Sequence, residues 1–184
     1  EDFAAAARRS VEAGCDFGEL PGAHGYLLHR CWRGDVNRRE DRWGEPEAFP
    51  EAVVRAVREA IGPGVPLLYR FSIHAEDPAA PNAPVTPESL QSFLQRLETA
   101  GVDAWDISCW RESRRGYFGT DRWLPDWVRQ FSNVPRIVAG NLLTPTDASE
   151  YLAGGHAEAA ALARALIADA EWAAKAREGR DADI

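Results

Sequence analysis

Amphipathic helical segments alternate with short apolar segments along the whole chain, and this alternation restricts the possible folds more than any other sequence feature. A short apolar run bounded by turn residues is typical of a buried strand. Strands are predicted at residues 15–20, 65–71, 102–108, 134–139 and 157–162. The last segment is rich in alanine, so its pattern also allows a helix. Strands this apolar are covered on both faces, which predicts a parallel α/β fold.

Helices are predicted between these strands, at residues 2–13, 50–61, 87–100, 126–131, 145–153 and 171–178. Two of them begin at Thr-Pro pairs, Thr86-Pro87 and Thr144-Pro145, because threonine caps a helix and proline fits its first turn. The polar segments 31–50, 74–87 and 109–123 are predicted as loops. The chain therefore contains about five βα units, whereas a complete TIM barrel has eight in typically ~250 residues.

Composition restricts the possible partners and the compartment. A chain of 184 residues with 45% apolar and 27% charged residues is expected to form one domain over residues 1–184. Its net charge of −8 argues against nucleic acid or an anionic membrane as a partner. The chain shows neither a run of ~20 apolar residues nor a signal-peptide pattern, which predicts a cytoplasmic protein.

Cysteine and methionine usage adds two expectations. Cys15, Cys31 and Cys109 lie far apart without a Cys-x-x-Cys motif, so we expect reduced thiols, no disulfide framework and no metal site. The chain contains no methionine and begins at Glu1 inside a helical pattern, and we expect it to be a piece of a longer protein.

The segment from Gly18 to Leu28 carries the first candidate functional residues. It reads Gly-Glu-Leu-Pro-Gly-Ala-His-Gly-Tyr-Leu-Leu, and it places His24 and Tyr26 just after the first predicted strand. Active sites of parallel α/β folds lie at the carboxyl ends of their strands. These two side chains are therefore candidates for catalytic residues.

Several separated patterns together resemble the old yellow enzymes, FMN-dependent ene-reductases built on a TIM barrel. The resemblance extends over nearly the whole chain and rests on Gly22-Ala-His-Gly-Tyr-Leu27, Asn37-Arg-Arg-x-Asp-x-Trp-Gly44, Arg70-Phe-Ser72, Gly101-Val-Asp103, Gly140-Asn141 and Arg164-x-Leu-Ile-Ala-Asp169. It implies a partial TIM barrel that corresponds to barrel units four to eight. It also implies FMN as the cofactor, NAD(P)H as its reductant and an activated alkene as the small-molecule substrate.

The resemblance assigns two catalytic roles. His24 matches a residue that donates a hydrogen bond to the carbonyl or nitro oxygen of the substrate, where negative charge develops. The alternative is a half-buried histidine bonded to a loop carbonyl. Tyr26 matches the tyrosine that protonates the α-carbon, a role that suits a phenol because it keeps its proton at neutral pH. The alternative is an aromatic ring that packs under the loop.

The resemblance also assigns a cofactor site. Arg70 matches an arginine beside the flavin ring, where a fixed cation favours the anionic reduced flavin; a structural salt bridge is the alternative. The remaining candidates follow the last two predicted strands, where TIM barrels bind phosphate, and they are Gly140, Asn141, Ala163 and Arg164. Backbone N–H groups and a guanidinium are suited to phosphate oxygens, although an ordinary turn would explain the same residues.

Three departures from the family pattern leave other functions open. Pro21 replaces the first histidine of the substrate-binding pair and cannot donate a hydrogen bond. Ala163 replaces a glycine, and the loop over residues 31–49 is shortened. A non-catalytic half-barrel remnant or interaction domain that binds no flavin is therefore the alternative. Another phosphate-binding barrel, such as an aldolase, would need a catalytic lysine or paired carboxylates, and Lys175 is the only lysine.

An open sheet of five strands needs a cover for its edges and inner face. We expect either a homo-oligomer or a missing N-terminal half of the barrel to provide this cover.

Overall fold

The computed structural model describes residues 1–73, 85–109 and 117–184 of the chain. In these ranges, five strands form one parallel sheet in which each strand pairs with the next along the chain. The strands are β1 (Gly18–Gly22), β2 (Leu67–Phe71), β3 (Ala104–Ser108), β4 (Arg136–Ala139) and β5 (Ala159–Ala161). Sequential parallel pairing with helical connections is the arrangement of consecutive βα units of a barrel. The prediction of a partial TIM barrel is confirmed.

Eight α-helices lie in the described ranges: α1 (Asp2–Glu12), α2 (Leu27–Trp32), α3 (Ala48–Ile61), α4 (Pro87–Ala100), α5 (Leu124–Phe131), α6 (Pro145–Ala153), α7 (Arg164–Ala168) and α8 (Trp172–Arg177). Both Thr-Pro pairs form capping boxes, at the starts of α4 and α6. The sequence did not predict α2 or α7, which have six and five residues and are too short to show helical periodicity. Parts of the predicted loops 74–87 and 109–123 lie outside the described residues.

The first strand begins and ends later than predicted. Residues 15–17 precede β1, and Phe17 is exposed, so their apolar character does not reflect burial in the sheet. Pro21, one residue beyond the predicted strand, lies inside β1 opposite Arg70. Among the described residues β1 pairs only with β2, and an edge strand tolerates proline because one side of its backbone needs no partner.

The core lies between the sheet and the helices α3 and α4. Alternate residues of the central strands, among them Tyr69, Phe71 and Trp105, are fully buried and pack against Phe93 of α4. Successive side chains of a strand point to opposite faces, so the other face carries the intervening residues. That inner face includes Glu19 and Pro21 on β1, Arg70 on β2 and Asp106 on β3, and it is the more accessible side of the sheet on β1 and β2.

The described ranges contain neither a candidate membrane span nor a candidate metal cluster. None of the helices there combines the length and the hydropathy that crossing a bilayer requires. The side chains there form no cluster of three or more His, Cys, Asp or Glu residues suited to a metal ion. None of the three cysteines forms a disulfide, and Cys109 is the buried one.

Candidate functional site

A cavity of about 320 Å³ opens at the carboxyl ends of β2 to β5. Six of the seven predicted site residues line it: His24, Arg70, Gly140, Asn141, Ala163 and Arg164. The parallel strands explain this convergence, since the segments that follow them all emerge at one edge of the sheet. Ser108 at the end of β3 also contributes to the lining.

His24 reaches into this cavity from a left-handed turn between β1 and α2. Its φ is +57°, and its backbone N–H donates to Ser72 Oγ at 3.4 Å. The imidazole Nε2 lies 2.7 Å from Ser108 Oγ, so the ring crosses from β1 over the end of β3. The hydroxyl thereby fixes the orientation of the imidazole in the cavity.

The turn that carries His24 is held by a second histidine, which the sequence did not indicate. The N–H of Gly25 donates to Nδ1 of His29 at 2.9 Å, and His29 is only 1% exposed. Burial, assisted by the positive charge of Arg33, lowers the pKa of His29 to about 4. A neutral imidazole with an unprotonated Nδ1 is the form that can accept this bond.

Tyr26 does not join the other candidates. It is the N-cap residue of α2, its side chain is 64% exposed, and it is absent from the cavity lining. Its predicted role as a proton donor therefore has no geometric support within the cavity and stays a prediction.

Arg70 enters the cavity from β2 and forms an ion pair with Asp106 on the neighbouring strand. The Arg70 Nη1 to Asp106 Oδ2 distance is 3.3 Å, and Asp106 is 4% exposed. Burial raises the pKa of Asp106, although the guanidinium opposes this shift. Arg70 Nε and Asp106 Oδ1 are buried and have no hydrogen-bond partner among the described residues.

Glu19 extends this cluster to a third strand. Glu19 lies on the accessible inner face. Partial desolvation and the neighbouring Asp106 carboxylate nevertheless raise the pKa of Glu19 to about 7. Sequence reasoning selected Arg70 but neither carboxyl group. The signal that could have found them was the strand alternation, which assigns all three side chains to the inner face.

Gly140 and Asn141 form a tight turn after β4. Gly140 has φ +137°, and a Cβ built on it would lie 2.0 Å from the carbonyl oxygen of Cys109. Asn141 also adopts positive φ, at +50°, and its Oδ1 accepts from Arg164 Nη2 at 3.4 Å. The turn thus exposes backbone close to an arginine, an arrangement suited to an anionic group.

Ala163 lies directly before α7 with a φ of −121°. This value is outside the left-handed region, so alanine needs no strained backbone at the position where the family has glycine. Arg164 is exposed at the rim of the cavity.

These features define a chain of the parallel-barrel type with a cationic cavity at the carboxyl ends of its strands. Residues 1–183 match the model of the NADH:flavin oxidoreductase / NADH oxidase family, and the chain belongs to that family.

Two relatives illustrate this membership. The chain is 34% identical to an NADH oxidase of Thermoanaerobacter brockii, with 100% of this chain and 30% of the relative covered. It is 30% identical to the probable NADH-dependent flavin oxidoreductase YqiG of Bacillus subtilis, with 99% and 51% covered. The structure of morphinone reductase in complex with tetrahydroNAD shares the fold, with a TM-score of 0.81, 24% identity and coverage of 97% and 47%. The chain thus spans about half the length of these proteins or less.

Family membership implies FMN as the cofactor and NADH or NADPH as its reductant. Three observations show that the cavity fits a phosphorylated, polar cofactor. Its backbone turn at Gly140 has no room for a Cβ, the guanidinium of Arg164 lies at its rim, and the buried Nε of Arg70 lacks a partner among the described residues.

Proposed function

We propose that this chain forms about half of an FMN-dependent oxidoreductase and contributes the phosphate end of its flavin site. The observation that carries the proposal is the single cavity in which Arg70, Asn141 and Arg164 meet, although they lie after or within three different strands. Such convergence is unexpected for arginines that serve only as surface charges.

The lining residues that are proposed to bind FMN have separate tasks. The backbone N–H groups around Gly140 and Ala163 and the Arg164 guanidinium bind the phosphate, because charge-assisted hydrogen bonds to phosphate are strong and directional. Arg70 donates its unpartnered Nε–H to the polar edge of the flavin ring. Bound FMN would supply hydride transfer between NAD(P)H and a small-molecule substrate.

His24 is the proposed substrate-binding residue. Ser108 holds its ring, and the imidazole can then donate a hydrogen bond to the oxygen of an electron-poor substrate such as an activated alkene. Pro21 provides no second donor. We therefore infer weaker activation than a histidine pair would give. Tyr26 remains the proposed proton donor, from outside the cavity.

The whole enzyme needs the part of the barrel that this chain does not contain. Either the remaining barrel units or a second copy of the chain would cover the inner face of the sheet, and the assembled protein would act in the cytoplasm.

Flavin binding provides the first test. Titration of FMN with the chain, followed by quenching of flavin fluorescence, should give saturable binding. Arg164→Ala should weaken it about tenfold, because it removes a charge-assisted contact to phosphate. Arg177→Ala, an exposed arginine on α8, is the matched control and should leave the affinity unchanged. Equal affinities for both variants would contradict the assigned phosphate site.

A non-catalytic half-barrel that binds no flavin is the second candidate function. Pro21 favours it, because the histidine pair of the family cannot form, and so does the accessible inner face, which would then serve a protein partner. A chain that remains colourless and leaves FMN fluorescence unquenched would support this candidate and contradict the first.

A further inference from the structure

The cluster of Glu19, Arg70 and Asp106 contains more negative charge than one arginine can balance. Three adjacent strands bring the side chains together: Arg70 lies opposite Asp106 in the β2–β3 register, and Glu19 lies on the same face of β1. If both carboxyl groups were ionised, the cluster would carry a net charge of −1 behind Arg70, the one member that lines the anion-favouring cavity.

The hydrogen-bond geometry indicates a missing proton donor. Asp106 Oδ1 is buried without a partner among the described residues, because the guanidinium of Arg70 reaches only Oδ2. A buried carboxylate oxygen without a donor is costly. On the inner face Glu19 lies two residues before Pro21, which is opposite Arg70. The carboxyl group of Glu19 interacts directly with that of Asp106. Two carboxylates can form a hydrogen bond to each other only through a proton.

We propose that Glu19 and Asp106 share one proton, and that loss of this proton takes the cluster from neutral to a net charge of −1, which weakens the attraction of Arg70 for an anionic ligand in the cavity. With the proton, the pair carries one negative charge and the cluster is neutral, so Arg164 and the backbone turn dominate the field. Without it, a second carboxylate stands behind Arg70 and repels the ligand. The ligand part of this inference rests on the proposed flavin site.

The neighbouring groups are consistent with a transition near neutral pH. Burial raises the pKa of Asp106, and the pKa of Glu19 is raised to about 7. Arg70 on β2 and His24 after β1 are the charged and titratable groups that act on the pair and oppose these shifts. Cys15 lines the groove beside Glu19. The pair titrates as a unit because the two groups interact directly.

The sharing of the proton can be tested without a ligand. Side-chain carboxyl ¹³C resonances of the chain should show Glu19 and Asp106 following one transition near pH 7, and the Arg70 Nε ¹⁵N shift should move with it. Glu19→Gln keeps a hydrogen-bond donor for Asp106 but cannot titrate, so the transition should vanish. Glu59→Gln, an exposed glutamate on α3, should leave the transition in place. Titration of Glu19 near its ordinary value would overturn the inference.

The effect on the ligand is measured by FMN affinity at two pH values. From pH 6 to pH 8, we expect the affinity to fall about three- to tenfold, the size expected for one partly screened charge within ~10 Å. The FMN phosphate ionises in the same range for every variant, so the fall is measured relative to Glu19→Gln, which should lack it. A shared transition without any change in FMN affinity would refute the proposed effect of the proton on ligand binding. A chain that binds no FMN at either pH would refute the flavin site. The Arg70 Nε ¹⁵N shift would still show whether Glu19 and Asp106 share a proton.

Discussion

The candidate site requires glycine at position 140. Alanine there would need a φ of +137°, and its Cβ would meet the Cys109 carbonyl oxygen at 2.0 Å. We expect Gly140→Ala to lower the free energy of unfolding by about 2–3 kcal/mol and to abolish FMN binding. Gly64→Ala is the control, because Gly64 has open space around it and no positive φ, and its effect should stay within about 0.5 kcal/mol. Urea unfolding followed by tryptophan fluorescence measures both, and equal stability of the two variants would contradict the strain argument.

His29 should make the free energy of unfolding depend on pH. The unfolded chain binds a proton at the ordinary histidine pKa of 6.5, whereas the folded chain does so only near pH 4. Stability is therefore complete above pH 6.5 and is lost as the pH falls toward 4. The loss amounts to about 3 kcal/mol.

The matched variants separate this titration from other acidic groups. His29→Gln can still accept the Gly25 N–H bond through its amide oxygen but does not titrate, so the gap in unfolding free energy between it and the wild type should change across pH 4 to 6.5. His29→Leu removes the acceptor and should destabilise the chain by about 1–3 kcal/mol above pH 6.5. This gap should shrink or reverse as the pH falls toward 4, because leucine does not titrate. A constant gap between wild type and His29→Gln would show that His29 is not buried in its neutral form.

Residue pairs set by strand register were the part of the site that sequence alone did not predict. His24, Arg70 and Arg164 could be selected because they follow or end recognisable strands. Neither Glu19 nor Asp106 can be recognised as a site residue from the sequence, because their shared environment depends on the register of the strands. The same physical limit applies to any buried pair that joins distant segments of a chain.

Among the elements, α3 is tied to the amino-terminal end of the sheet by one arginine. Arg58 donates to the carbonyl oxygens of Gly62 and Val65 at 2.8 and 2.7 Å, and to that of Gly101 at 2.7 Å. We expect Arg58→Leu to reduce the free energy of unfolding by about 2–4 kcal/mol, because three partly buried acceptors lose a charged donor. Arg55→Leu on the same helix removes only an exposed pair with a glutamate one turn away and should cost about 0.5 kcal/mol or less. Chemical denaturation measures the unfolding free energy of both variants. A similar loss for each would contradict the role of Arg58 in holding α3 to the sheet.

Element prediction succeeded where periodicity or capping chemistry was long enough to recognise. The helices α4 and α6 began at their Thr-Pro pairs as predicted. The short helices α2 and α7 were missed because six or five residues complete fewer than two turns. The limits of β1 were misjudged because proline is tolerated on an edge strand, and no local pattern indicates which strand lies at an edge.

At the scale of the whole molecule, the described sheet has two open edges, β1 and β5, and the helices that follow these two strands carry exposed apolar side chains. Leu27 in α2 is 55% exposed, and Ile167 in α7, directly after β5, is 85% exposed. In a closed barrel the first and last strands pair with further strands, which leaves no edge. Apolar groups beside unpaired edges are a driving force for association.

We expect the chain on its own to self-associate through these edges. Size-exclusion chromatography with light scattering should give a mass above that of the monomer, which falls toward the monomer value in Ile167→Glu and in Leu27→Glu because a charge in the interface must be desolvated. Gln91→Glu is the control, since Gln91 is exposed on α4, the helix that connects the central strands β2 and β3. If the missing barrel units are supplied as a separate chain and close the sheet, the self-association should disappear and FMN affinity should rise. A wild-type chain that is monomeric at all concentrations would contradict association through the edges.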